Sequence, residues 1–131
     1  MICLDSSFLI DLLRNNKLAI EKVKELEDEE FAISSISFFE IMLGINLMKH
    51  NKEERRKQFN KLIDNLETLD MDIPSADLSS KISADLISEG KTIDQFDCLI
   101  AGSILSNNIN EILTKDKEHF SRIENIKVIS Y

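Results

Sequence analysis

The 131-residue sequence predicts an α/β fold: a three-layer α/β/α sandwich around a parallel sheet of four to five short strands, in a single domain over residues 1–131. Three observations predict it. Short apolar runs (ICL at Ile2 to Leu4, FAIS at Phe31 to Ser34, EILT at Glu111 to Thr114) alternate with segments of helical periodicity. Strands separated by helices pair in parallel through crossovers. From Cys98 to Leu105 no residue is charged and apolar or small side chains point all the way round, which marks a buried helix.

Taken in order, Ile2 to Leu4 reads as a buried strand ending at Asp5, after which Ser6 or Ser7 caps a helix through FLIDLLR. A second helix spans about Leu18 to Leu26, with Ala19, Ile20, Val23 and Leu26 on one face, and Asp28 to Glu30 form a solvated turn. After the FAIS strand, Ser37-Phe38-Phe39-Glu40 has the pattern of a capping box, with Ser37 at the N-cap and Glu40 reaching back. Gly44 inside that helix costs about 1 kcal/mol relative to alanine. A close backbone approach from a neighbouring element would explain it. Asn51 to Leu66 is a charged helix with an apolar stripe at Phe59, Leu62, Ile63 and Leu66. Thr68 to Ile73 is a further strand, Pro74 and Ser75 start a helix that Gly90 stops, and Asn107 and Asn108 end the buried helix. A strand to Thr114, a short helix (KEHFSRI) and a last strand at Lys127 to Ser130 close the chain.

Composition narrows the class. With 43% hydrophobic residues, one proline and three glycines, the chain is compact and helix-rich. It lacks the ~18-residue apolar window that a membrane span needs. Met1 passes straight into ICLD without a basic leader, so a cytoplasmic protein is expected. Cys3 and Cys98 have no metal-type spacing and read as reduced core residues. His50 and His119 are isolated near helix ends and are read as surface or capping residues without a catalytic role. The formal charge of −8 argues against simple electrostatic capture of nucleic acid. Lys49, Lys52, Arg55 and Arg56 belong to the main cationic cluster; they form either a solvated face stitched by Glu–Lys pairs or a contact for an RNA backbone.

The acids carry the chemistry. Asp5 leaves the first strand and Asp116 the fourth, while Glu40 and Asp97 open helices entered from the same sheet edge, where open parallel sheets bind ligands. Asp94 with Asp97 also suits an N-cap and N3 pair at the start of the buried helix. Two carboxylates 4 Å apart repel by about 4 kcal/mol at an effective dielectric of 20, and capping cannot offset that for four. Either some are protonated or a cation sits among them. Carboxylates and water, without His or Cys, suit Mg²⁺ or Mn²⁺, and such ions serve phosphodiester hydrolysis.

These pieces are similar to a known family. LDSSFLIDLLR at Leu4 to Arg14, SSISFFEIMLGI at Ser34 to Ile45, GKTIDQFDCLIAGSIL at Gly90 to Leu105 and ILTKDKEHFSRI at Ile112 to Ile123 resemble the PIN domain, and within it the small VapC-type toxins of toxin-antitoxin pairs. The resemblance implies that Asp5, Glu40, Asp97 and Asp116 form the acidic site for Mg²⁺ or Mn²⁺, with Ser6 and Thr114 as polar support. It implies an endoribonuclease acting through metal-activated water, a homodimer, and inhibition by a cognate antitoxin whose tail blocks the site. Ser7 stands where family members often carry Asn, and Asp94 has either a capping or a water-mediated supporting role. The alternative is a catalytically silent PIN-like module that binds protein or RNA.

Overall fold

The computed structural model describes residues 1–131. Its first half runs β1 (Ile2–Leu4), α1 (Ser6–Leu13), α2 (Lys17–Glu25), β2 (Phe31–Ser34), α3 (Ser35–Asn46) and α4 (Lys52–Ile63). The second half runs β3 (Glu67–Leu69), α5 (Ile73–Ser88), α6 (Gln95–Ser106), β4 (Glu111–Leu113), α7 (Lys117–Ser121) and β5 (Lys127–Ile129). No helix is long and apolar enough to cross a membrane.

The five strands form one parallel sheet in the order β3-β2-β1-β4-β5. β1 is therefore central, and the chain winds outward from it in both directions. Such a sheet has a switch point between β1 and β4, and open parallel sheets bind ligands beyond the strand ends at such a point. Alternation along each strand feeds two cores. Cys3, Ala32 and Ile112 pack with α5, α6 and α7 on one face. Ile2, Leu4, Ile33 and Leu113 pack with the first four helices on the other, around the fully buried Phe8 and Phe59. The expected three layers are present.

Several boundaries differ from the sequence reading. α3 begins two residues before Ser37, because the Ser34 hydroxyl accepts the Ile36 N–H at 3.1 Å and caps the helix first. There is no Ser37–Glu40 capping box; Ser37 is buried inside the helix and its Oγ has no partner. At α1 the N-cap position falls on Asp5 rather than on Ser6 or Ser7, and the Asp5 side chain does not cap the helix. The third strand is only Glu67–Leu69, since Asp72 accepts the Ser75 N–H at 2.9 Å and draws Ile73 into α5. Gly90 does stop α5: at φ +69° it lets the Lys91 and Gly90 N–H groups bond the Leu86 and Ile87 carbonyls.

The close backbone approach lies at Gly102, not at Gly44, around which a Cβ would meet nothing within 4 Å. A Cβ on Gly102 would strike Ser79 Oγ and come within 2.6 Å of the Ser75 carbonyl oxygen and 2.8 Å of the Ser79 nitrogen. Two of these three atoms are backbone. α6 thus lies directly on α5, held also by a 2.7 Å bond between Ser75 and Ser106 hydroxyls. Gly102→Ala must part the two helices and should lower stability by about 1–3 kcal/mol. Gly44→Ala should raise it by about 1 kcal/mol through helix propensity. Urea unfolding of both variants checks the pair, and equal effects would refute the assignment.

Candidate active site

Asp5 is the residue at which β1 stops, at the switch point of the sheet. It is only 4% exposed. Its Oδ2 accepts the Thr114 hydroxyl at 2.7 Å and the Ser7 hydroxyl at 3.0 Å. Thr114 follows β4 and is itself buried; its Oγ1 accepts the Asp116 N–H at 2.9 Å, and Ser7 Oγ accepts the Lys115 N–H at 3.2 Å. Two short polar side chains thereby tie the ends of β1 and β4 and set where Asp116 begins. Ser7 does the bridging from the position at which the resemblance leads one to expect Asn. Asp5 Oδ1 is buried with no partner.

The other acids reach the crevice from helices. Asp94 caps α6, accepting the Phe96 N–H at 2.8 Å, which leaves Asp97 in the first turn facing the site. Glu40 lies in the second turn of α3, and its Oε1 is also buried without a partner. Asp116 is the N-cap of α7 and accepts the His119 N–H on Oδ1 at 3.2 Å. The structure brings these four carboxylates close enough to act on one another electrically. Burial raises Asp5 above the usual carboxylate range, against the pull of Thr114, Ser7 and the Ser6 N–H, and the charge of Asp116 raises it further. Burial first, then Asp5, Asp97 and Asp94, push Glu40 up to about 7, with the Ser6 hydroxyl opposing. Asp97 rises to about 6, again chiefly by burial and then by Asp5, Asp116 and Asp94, while His119 opposes. Beside them Cys3 is an inert thiol, pushed up to about 12 by burial and by Asp5.

His119 corrects the sequence reading. Far from isolated, it places Nδ1 2.9 Å from Asp97 Oδ2 and 2.8 Å from Asp116 Oδ2. The spacing of Asp116 and His119, three residues apart in a short helix, was the available signal; only the fold brings Asp97 to the same point. The cationic segment also differs. Arg55 donates to the Leu13 carbonyl at 2.7 Å and Arg56 to Asn46 Oδ1 at 2.8 Å, so both guanidiniums tie α4 to the helices beneath it. Lys49, in the turn before α4, is exposed, and Lys52, the first residue of α4, is half-buried. A groove of about 300 Å³, lined by Ile10, Leu13, Arg14, Ile41, Gly44 and Arg55, carries Glu40 on its wall.

The donor set fits a hard divalent cation. Two buried carboxylate oxygens lack any partner, where an unpaired buried acceptor costs about 1–3 kcal/mol. Asp97, Asp116 and His119 offer ligand atoms all within 4.8 Å of one another. Oxygen-rich sites of this kind bind cations that in turn bind phosphate.

The comparisons agree with this architecture. The family model described as "PIN domain" matches residues 2–126. The "tRNA(fMet)-specific endonuclease VapC" of Shigella flexneri is 25% identical over 125 residues, covering 95% of this chain and 92% of that protein. The protein of the same name from Salmonella typhimurium is 29% identical over 126 residues, covering 95% and 93%. A chain in the crystal structure of VapBC2 from Rickettsia felis bound to a promoter DNA fragment superposes with a TM-score of 0.89 at 22% identity, over 100% and 99% of the two chains. The family match runs unbroken through β1, α3, α6 and β4, the elements that carry Asp5, Glu40, Asp97 and Asp116 to one crevice, and this chain belongs to the PIN domain family.

Proposed function

We propose that this chain is an endoribonuclease toxin that hydrolyses RNA phosphodiesters at a Mg²⁺ or Mn²⁺ centre and is held inactive by a cognate antitoxin. The observation that carries it is the pair of orphaned buried oxygens, Asp5 Oδ1 and Glu40 Oε1, in a crevice crowded by Asp97 and Asp116. The VapC relatives named as tRNA(fMet)-specific endonucleases support RNA as the substrate class. The VapBC2 assembly from Rickettsia felis supports a protein partner for the toxin.

Asp5, Glu40, Asp97 and Asp116 would hold the cation. Once bound, a divalent cation supplies a water of lowered pKa and positive charge opposite the charge that develops on the phosphate. The chain's own part is positioning. Ser7 and Thr114 hold one oxygen of the Asp5 carboxylate, which leaves the other buried without a partner. Asp94 takes over the capping of α6, which frees Asp97 for the site. The N-terminus of α6 adds positive potential beside four acids. Lys49 and Lys52 are the free cations we assign to the RNA backbone, since Arg55 and Arg56 have partners within the fold. The groove beside Glu40 is the surface we assign to the antitoxin segment. A second copy of the chain completes the proposal: Phe39, Leu43 and Leu47 form an exposed apolar stripe along α3, continued by Phe96 in edge contact with Phe39.

Asp5→Asn and Asp97→Asn should each reduce RNA cleavage by more than about 100-fold without unfolding the chain, and EDTA should abolish wild-type cleavage. Gel assays with Mg²⁺ and Mn²⁺ check this; no cleavage by wild type with either metal would refute the proposal. Leu43→Glu should convert a dimer to a monomer in sedimentation velocity.

The metal-free protein should also lose stability as pH rises. The folded-state value of Glu40 is raised from 4.5 to about 7 and that of Asp97 from 3.8 to about 6, so the folded state holds protons that the unfolded chain releases. Their contribution is complete below the ordinary carboxylate values and is lost as pH climbs through about 6 to 7. In EDTA at pH above that window, Glu40→Gln should melt roughly 2–5 °C higher than wild type while losing activity. A lower melting temperature would mean that Glu40 serves the fold.

A further inference from the structure

The geometry of His119 goes beyond a carboxylate-only site. Its Nδ1 stands 2.8 Å from Asp116 Oδ2 and 2.9 Å from Asp97 Oδ2. A neutral or charged imidazole carries at most one proton on that nitrogen, so it cannot donate fully to both acids. The nitrogen is therefore shared between the two carboxylates, bonded to Asp97 and equally close to Asp116. Neighbouring ligands on an octahedral ion with bonds of about 2.1 Å lie about 3.0 Å apart. The two nitrogen–oxygen separations are within a few tenths of an ångström of that edge. All three donor atoms fall within 4.8 Å of one another. Arg122, on the next turn, bonds Glu118 and the Thr92 carbonyl, so it does not occupy the vertex.

A second observation points to a ligand. Asp5, 4% exposed, has a buried Oδ1 with no partner, and the charge of Asp116 acts on it. The His119 contacts are to Asp97 and Asp116, and the Asp5 oxygen stays without a partner.

We propose that His119 is a direct nitrogen ligand of the metal centre, alongside Asp97 and Asp116, and that it biases the site toward Mn²⁺ over Mg²⁺. Imidazole suits transition metals, whereas Mg²⁺ takes oxygen almost exclusively. This inference rests on the metal-centre reading above and adds a donor that the four acids do not supply. As a ligand, His119 fixes one vertex of the ion through α7, a helix whose start is already set by Asp116.

The full chain loaded with Mn²⁺ and studied by pulsed EPR tests it without any turnover. Wild type should show ¹⁴N modulation from a directly bound imidazole, and His119→Gln should abolish that modulation while Mn²⁺ still binds. Calorimetry should show Mn²⁺ affinity falling about tenfold in His119→Gln, with Mg²⁺ affinity changed by less than about twofold. Bound Mn²⁺ with no nitrogen modulation in wild type overturns the proposal while leaving the metal centre intact. So does an equal loss of both metals in His119→Gln, which would make His119 a positioning residue for the two carboxylates. Failure of wild type to bind Mn²⁺ at all overturns the metal centre and this inference together. The wild-type spectrum does not depend on the variant's folding.

Discussion

The rest of the site depends on one constraint: a carboxylate has been taken out of water at the end of the central strand. Burying Asp5 carries a desolvation cost of several kcal/mol unless the charge is compensated. Thr114 and Ser7 compensate one oxygen. Because both also bond the backbone after β4, the arrangement that holds Asp5 simultaneously fixes the path of the chain into Asp116. The other oxygen is buried without a partner.

Packing supplies the second half of the geometry. α6 brings Asp97 to the crevice only because it lies directly on α5, and Gly102 with the small serines of α5 makes that approach possible. The Asp94 cap then divides the acidic start of α6 between two tasks. Asp94 satisfies the helix terminus, and Asp97 faces the cluster. Burial, and after it the charges of Asp5, Asp116 and Asp94, raise Asp97 to about 6. Electrostatically the cluster is a reservoir of unfavourable charge: burial and neighbouring carboxylates together raise Asp5, Glu40 and Asp97 above the usual carboxylate range.

Much of this was legible in the chain itself. β1 and β2 occupy the predicted residues, since ICL and FAIS are short apolar runs, ended by Asp5 and by the serines at Ser34 and Ser35. Asp5, Glu40, Asp97 and Asp116 could be singled out because strand ends and helix starts are local features, and parallel connections bring them to one edge. The start of α3 was misread because two serines compete for one cap, and the winner is decided by which one emerges from the strand. Gly44 and Gly102 are indistinguishable by local pattern. Their difference is whether another helix lies against them.

By itself, then, the sequence determined the alternation of strands and helices, the buried character of α6, the Asp94 cap and the acids at the sheet edge, because hydrophobic period and capping chemistry act within a few residues. Tertiary structure alone decided that His119 meets Asp97, that Arg55 and Arg56 bond α1 and α3, and that Thr114 and Ser7 hold Asp5. Most of those contacts join residues from separate elements. Their distances depend on how helices pack across the sheet, which no local pattern encodes.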